Sequence, residues 1–284
     1  MGNPRVKGTM STVPAARLER WQRFRDNRNK ALAARHGWLT LTSFQWLEDS
    51  PAAVDLAPGL WSTDGTTAAL TAVPADGLSL VETGEAVTGT ISAALADEES
   101  LMWVQFGGAG GDQVVVELAM RAGRYAIRTR DSGSPVLTEF GGVPTFPYNP
   151  EWEVTGRFEP YPEPVDVPIA TANALVDGIH RSVGEVVFRI PGSSHEFRLQ
   201  AEEEKLGALT VTFHDETNGE STDDWRKLSL PRPRPDNSVV LDFNRAINYP
   251  SAFTPYGTCP MPVKNNSLDV RVEAGEKLPY PRES

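Results

Sequence analysis

From about residue 54 onward the chain carries its apolar residues in runs no longer than a strand, each closed by Gly, Asp, Ser or Pro. Residues 77–81, 86–91, 102–106, 114–118 and 125–130 form one such series, and stretches near 165–175, 184–190, 195–201, 208–214 and 238–243 form another. No long segment beyond 54 repeats apolar residues at the three- and four-residue spacing of an amphipathic helix. A chain built this way buries its apolar surface in sheets. Its 24 glycines and 23 prolines supply the turns that many short elements require.

The N-terminal region reads differently. Leu18, Trp21, Phe24 and Arg25, then Arg28, Leu32 and Arg35, fall three and four apart, giving a helix with an apolar stripe and a basic face that stops at Gly37. The apolar segment from Trp38 to Leu47 reads as a strand or a single helical turn that docks this helix. The expected fold is therefore mainly β, with an N-terminal helical segment packed on two β-sheet or barrel-like units that form one compact body. Its parts are a flexible tail at 1–14, the helical segment at 15–49, a first β unit at 50–140 and a second at 141–284. The second unit opens with an ordered crossover at 141–168, pinned by Phe146, Tyr148, Trp152 and Phe158, and closes in a Pro-rich loop. Asn218-Gly219 marks a tight turn within it.

Charge and cysteine content narrow the function. The net charge of −11 opposes the basic surface that phosphate backbones demand, so no nucleic-acid partner is expected. Apolar residues at 39% and charged residues at 23% are those of a chain that folds rather than one that stays disordered. Cys259 stands alone, which rules out an internal disulfide and a cysteine-based zinc cluster. No secretory apolar core and no run of about 18 apolar residues occurs, so a cytoplasmic protein without a membrane partner is expected.

The common catalytic fingerprints are missing: there is no P-loop, no H-E-x-x-H and no G-x-S-x-G. The glycine run 107–111 lies between two strands with no helix to follow, which makes it a hairpin loop rather than a phosphate cradle. His36, His180, His195 and His214 include no close-spaced ligand pair, and neither a metal nor a cofactor is expected. His214-Asp215 is the most site-like of these and reads first as a turn.

Two segments concentrate polar groups among apolar neighbours. One runs from Ile127 through Arg128, Arg130 and Asp131 to Ser134-Pro135. The other runs from Val239 through Asp242, Asn244 and Arg245 into the loop that holds Cys259. If they meet, Arg128, Arg130, Asn244 and Arg245 would clamp an anionic small molecule, since guanidinium forks match carboxylate and phosphate. Asp131 and Asp242 would orient the arginines or act as acid and base, Trp152 would wall the pocket, and Cys259 is a nucleophile candidate beside a buried, inert alternative. The structural alternative for Asp242 and Arg245 is that they pin the irregular C-terminal loop.

Several blocks, taken together and in order, resemble a known family. They are Phe24-Arg25 to Gly37-Trp38-Leu39-Thr40-Leu41, Arg128-Thr129-Arg130-Asp131 with Ser134-Pro135, Phe146-Pro147 to Trp152, and Leu241-Asp242-Phe243-Asn244-Arg245-Ala246 through Cys259-Pro260 and Asn266 to Ala274-Gly275-Glu276-Lys277. The family is the bacterial DUF1684. The resemblance implies no reaction and no cofactor, and it transfers no residue role. Two departures stand out: Ser251 occupies a place where the resemblance implies a second cysteine, and Asp224-Trp225-Arg226-Lys227 replaces a Tyr-x-x-Gly-Arg block. Three function classes stay open: a cofactor-independent hydrolase or lyase, a non-catalytic small-molecule binding or sensor module, and a structural or interaction protein. A deep pocket holding a carboxylate of raised pKa marks the first, arginines without such a group the second, and an exposed apolar patch without a pocket the third.

Overall fold

Helix α1 (Ala15–Leu32) has no interior Gly or Pro, as a stable helix demands, but it does not dock through an apolar stripe. Only Arg25 and Leu32 along it are buried, and Leu18 stays 46% exposed. The helix is held by its basic side chains. Arg25 donates to Glu276 at 2.7 Å, Arg28 donates to the same carboxylate at 3.1 Å and to the Asn248 carbonyl at 2.9 Å, and the Trp21 indole donates to the Asn244 carbonyl at 3.0 Å. The computed structural model describes residues 15–107, 111, 113–190 and 192–280; the tail expected at 1–14 and the middle of the 107–111 glycine run lie outside the described residues.

The apolar segment after Gly37 is both of the forms its sequence allowed, a 3₁₀ turn at Trp38–Thr40 followed by strand β1 (Leu41–Trp46). The chain then forms β2 (Ala52–Val54), β3 (Ala57–Thr63), β4 (Ala68–Ala72), β5 (Ser79–Leu80), β6 (Gly89–Ala93), β7 (Ser100–Gly107), β8 (Gln113–Arg121) and β9 (Arg124–Asp131). A five-stranded sheet in the order β1-β9-β8-β7-β5 packs on a four-stranded sheet β2-β3-β4-β6. Alternation puts Val116, Leu118, Tyr125 and Ile127 on the face shared with Trp61 and Leu70 of the smaller sheet. Each such side chain contributes about 1.5–3 kcal/mol by leaving water. The opposite face of β8 and β9 presents Glu117, Arg128 and Arg130.

After the short helix α2 (Pro135–Thr138), the second half forms β10 (Glu153–Ala170), β11 (Asp177–Phe188), β12 (Phe197–Glu203), β13 (Leu209–Asp215), β14 (Arg226–Leu230), β15 (Ser238–Asp242), β16 (Ile247–Asn248) and β17 (Ser267–Leu268). They make one sheet in the order β15-β10-β11-β12-β13-β14-β16, with β17 added parallel to β13, curled as a half-barrel. Leu199, Val211, Phe213, Leu241 and Phe243 fill its core. Strands account for 45% of the structure and helical turns for 15%, so the mainly β expectation holds.

Two expectations change in detail. Residues 153–168 are not crossover loop but most of β10, which runs through Pro160, Pro162, Pro164 and Pro168. The Phe158 N–H points away from β11 to the Asn237 carbonyl at 2.8 Å, and Pro160, two residues on in the same register, shares its side. Pro160 thus puts its missing donor on the outer edge of β10, while Pro162 and Pro164 fall where the β10–β11 register breaks between Pro160 and Val165. The strand expected over 268–272 shrinks to β17, because the carbonyls of Val272 and Ala274 accept from the buried Arg226 guanidinium instead. Among the described residues no helix is long and apolar enough to cross a membrane.

Candidate functional site

Where the N-terminal half of α1 crosses the half-barrel, a cleft of about 480 Å³ opens. Arg17, Arg20 and Trp21 form one wall, Leu230, Pro231 and Val240 the floor, and Tyr148, Glu153, Asp242 and Arg245 the far side. Trp21 and Tyr148 face one another at 5.8 Å. Asp242 ends β15 and caps the 3₁₀ turn Phe243–Arg245. Its Oδ1 accepts from the Asn244 backbone N–H at 3.2 Å and from the Asn244 side-chain amide at 2.9 Å, and its Oδ2 lies 3.4 Å from Arg245 Nε. The ladder sets Asp242 opposite Glu153, which takes Arg17 at 3.5 Å.

This surrounding decides the proton affinity of Asp242. Burial pushes its pKa up, the Glu153 charge adds to the effect, and the Asn244 hydrogen bonds and the Arg245 charge offset only part of it. The Tyr148 phenol is also pushed up, by burial first and then by the charges of Asp242 and Glu153. The cleft thus joins a carboxyl that favours its proton to three arginines, an arrangement that can hold an anion and exchange a proton with it.

The residues singled out from sequence divide between two places. Asp242 and Arg245 line the cleft together. Asn244 is buried beneath them and spends its amide on Asn149 and Asp242, so it fixes the carboxylate rather than facing the cleft. Trp152 packs on Phe243 at 6.1 Å, against the barrel core. Arg128 and Arg130 lie elsewhere, buried against Glu117, with Arg128 also donating to the Thr258 hydroxyl at 3.0 Å. The 127–135 and 241–266 segments do meet, through that Arg128–Thr258 contact. Asp131 accepts from the Gly133 N–H at 2.8 Å and shapes the turn after β9. Cys259 is buried among Trp225, Tyr249 and Met261; burial raises its thiol pKa, against contacts from Ser251 and the charges of Arg128 and Lys227. The thiol form is the one this site favours.

Sequence reasoning missed Arg17 and Arg20, whose only signal was the basic face of α1, and it read Tyr148 as a packing residue. Glu117 left no signal at all, since it sits inside an apolar run. Among the described residues no group of three or more His, Cys, Asp or Glu is placed to hold a metal ion.

Fold and site together define a mainly β protein whose N-terminal helix roofs an arginine-lined cleft on a half-barrel. Residues 138–277 match DUF1684, a family described as protein of unknown function; the resembling blocks from Phe146 to Lys277 fall inside that span, and those at 24–41 and 128–135 fall outside it. A solution NMR structure of an uncharacterized protein from Haloarcula marismortui is 26% identical, covering 49% of this chain and 78% of that one at a TM-score of 0.41. No curated protein matches the chain.

Proposed function

We propose that the chain takes up a small anionic molecule in the cleft between α1 and β15, and that Asp242 exchanges a proton with it in a cofactor-independent hydrolase or lyase reaction. One observation carries this reading: Asp242, pushed toward its protonated form by burial, lines the same cleft as Arg17, Arg20 and Arg245. Three arginines line the cleft against the two carboxylates of Asp242 and Glu153, an excess of cations that suits an anionic head group. The apolar floor of Leu230, Pro231 and Val240 suits a less polar body, and a cleft of about 480 Å³ is of small-molecule size. Asp242 is the proton donor or acceptor, Arg245 and Arg20 hold the anion, and Asn244 is the positioning residue beneath Asp242.

The test is native mass spectrometry of freshly purified protein before and after denaturation, on wild type and on Arg245→Ala. A bound mass present in wild type and lost in a folded Arg245→Ala protein supports the reading. Equal occupancy in both overturns it. A non-catalytic binding module is the second reading, favoured by how thoroughly Asn244 and Arg245 restrain Asp242. Asp242→Asn separates the two, because it spares binding in both and abolishes turnover only in the enzyme.

A further inference from the structure

The outer face of the half-barrel carries polar side chains where solvent would be expected, yet several of them are buried. Thr210 and Thr212 alternate with the core residues Leu209, Val211 and Phe213 along β13, and the register places Lys227 of β14 beside Thr212. Both threonines are nonetheless buried, because Tyr249 and the chain that follows it roof this face. A covered polar face is costly unless its groups are satisfied. Here they are ordered around a cavity of about 640 Å³ that shares no lining residue with the α1 cleft.

Several of the polar groups that line the cavity are held by a second one. The Tyr249 hydroxyl and the Thr212 hydroxyl are 2.6 Å apart, which fixes the ring, and the Lys227 ammonium lies 5.7 Å from the centre of that ring. Among the described residues Lys227 closes no ion pair within 4.0 Å. Across β13 on the same face, Glu202 accepts from the Arg181 backbone N–H at 3.2 Å and has the ring of buried His180 3.6 Å behind it, while Glu204 accepts from the Thr210 hydroxyl. The His180 Nε2 has no partner, and burial holds that imidazole toward its neutral form.

We propose that this cavity is a second ligand site, one that takes a small zwitterion of the α-amino-acid type, with its carboxylate on Lys227 and its ammonium on Glu202 and Glu204. A purely anionic ligand would meet Glu202, Glu203 and Glu204, and a purely cationic one would meet Lys227 and Arg181. Opposite charges carried on one sheet face around one cavity fit a molecule that carries both.

The experiment is an amide NMR titration of the full chain with free amino acids one at a time, alongside their N-acetyl and methyl-ester derivatives. The expected result is saturable shifts at Thr210, Lys227 and Tyr249 with at least one amino acid and with neither derivative. Lys227→Met should lower that affinity by about tenfold or more, and Asp242→Asn in the other cleft should leave it unchanged. Glu202→Gln gives the same loss from the carboxylate side should Lys227→Met fail to fold. The proposal is overturned if no amino acid moves these amides, if either derivative binds as well as its parent, or if a folded variant at Lys227 or Glu202 binds as wild type does.

Discussion

Glu117 on β8 stands opposite Arg128 on β9, and its two carboxylate oxygens divide between two arginines: Oε1 faces Arg128 at 3.3 Å and Oε2 faces Arg130 at 2.6 Å. All three side chains are buried, and the Arg130 guanidinium also donates to the carbonyls of His36 and Gly37. The triad therefore ties the first sheet to the turn that follows α1, and through Thr258 to the C-terminal loop.

Removing one member leaves buried charge without a partner, which costs about 3–5 kcal/mol. Glu117→Gln should lose that much in urea denaturation near neutral pH. Burial alone would raise the Glu117 pKa, but Arg130 and Arg128 together outweigh it and hold the carboxyl below its ordinary value of 4.5. A folded pKa below the unfolded one means that the stabilisation is complete above the ordinary carboxylate range and is lost as pH falls through the lower folded value. The gap between wild type and Glu117→Gln should close on that descent. A variant within about 1 kcal/mol of wild type at neutral pH would show that the triad contributes little.

How much of this was legible in the sequence depends on which interaction decides each element. Strand-length apolar runs are local, and they gave the mainly β class and most strands of both halves. Residues 57–63 and 226–230 carry Pro58 and Gly59 or charged and polar residues, so their strand character came only from partners across the sheet. Arg128 and Arg130 looked like ligand clamps because Glu117, which sits across the ladder, is invisible to spacing along the chain. Asp242 and Arg245 fall three apart on a turn, a local relation that sequence can show. Arg17 and Arg20 reach the same cleft from more than two hundred positions away, which it cannot.

Glu276 accepts from Arg25 and Arg28 through Oε1 and from the Asn248 backbone N–H at 2.7 Å through Oε2, with its side chain fully buried. Because α1 buries so little apolar surface, this carboxylate is its main attachment. Glu276→Ala should cost about 3–5 kcal/mol. Hydrogen exchange should show the amides of α1 losing protection ahead of those of β8 and β13. Uniform loss across all three would mean that the helix and the sheets unfold as one unit.

Asp242 has the opposite linkage to Glu117. Its folded pKa lies above the ordinary 3.8, so the fold holds a proton that the unfolded chain has released. The contribution of this group is most favourable below the ordinary value and declines as pH rises through the raised one. Asp242→Asn keeps an acceptor for Asn244 and removes the titration. The variant should match wild type at low pH and exceed it at neutral pH in thermal melts. If wild type is the more stable at neutral pH, the pairing with Arg245 outweighs burial and Asp242 is ionised in the cleft.

Gly275 shows how narrowly the C-terminal loop is fitted to the barrel. Its φ is +77°, and a Cβ there would lie 2.5 Å from the Ala246 carbonyl oxygen and 2.9 Å from that of Phe243. Both are backbone atoms of the turn that carries Asp242 and Arg245, and the next N–H, of Glu276, donates to the same Ala246 carbonyl at 2.9 Å. Gly275→Ala therefore meets two costs: about 1–2 kcal/mol for an L-residue in the left-handed region, and about 1–3 kcal/mol more for the displaced backbone. Gly77 separates them, since its φ is +64° with open space around a Cβ. Gly77→Ala should lose only the conformational part in urea denaturation. Gly275→Ala should lose visibly more and should also weaken ligand binding in the α1 cleft by shifting the Asp242 turn. Equal losses in the two variants would mean that the loop yields to the extra carbon, and that the contact between Gly275 and Ala246 does not hold the site in place.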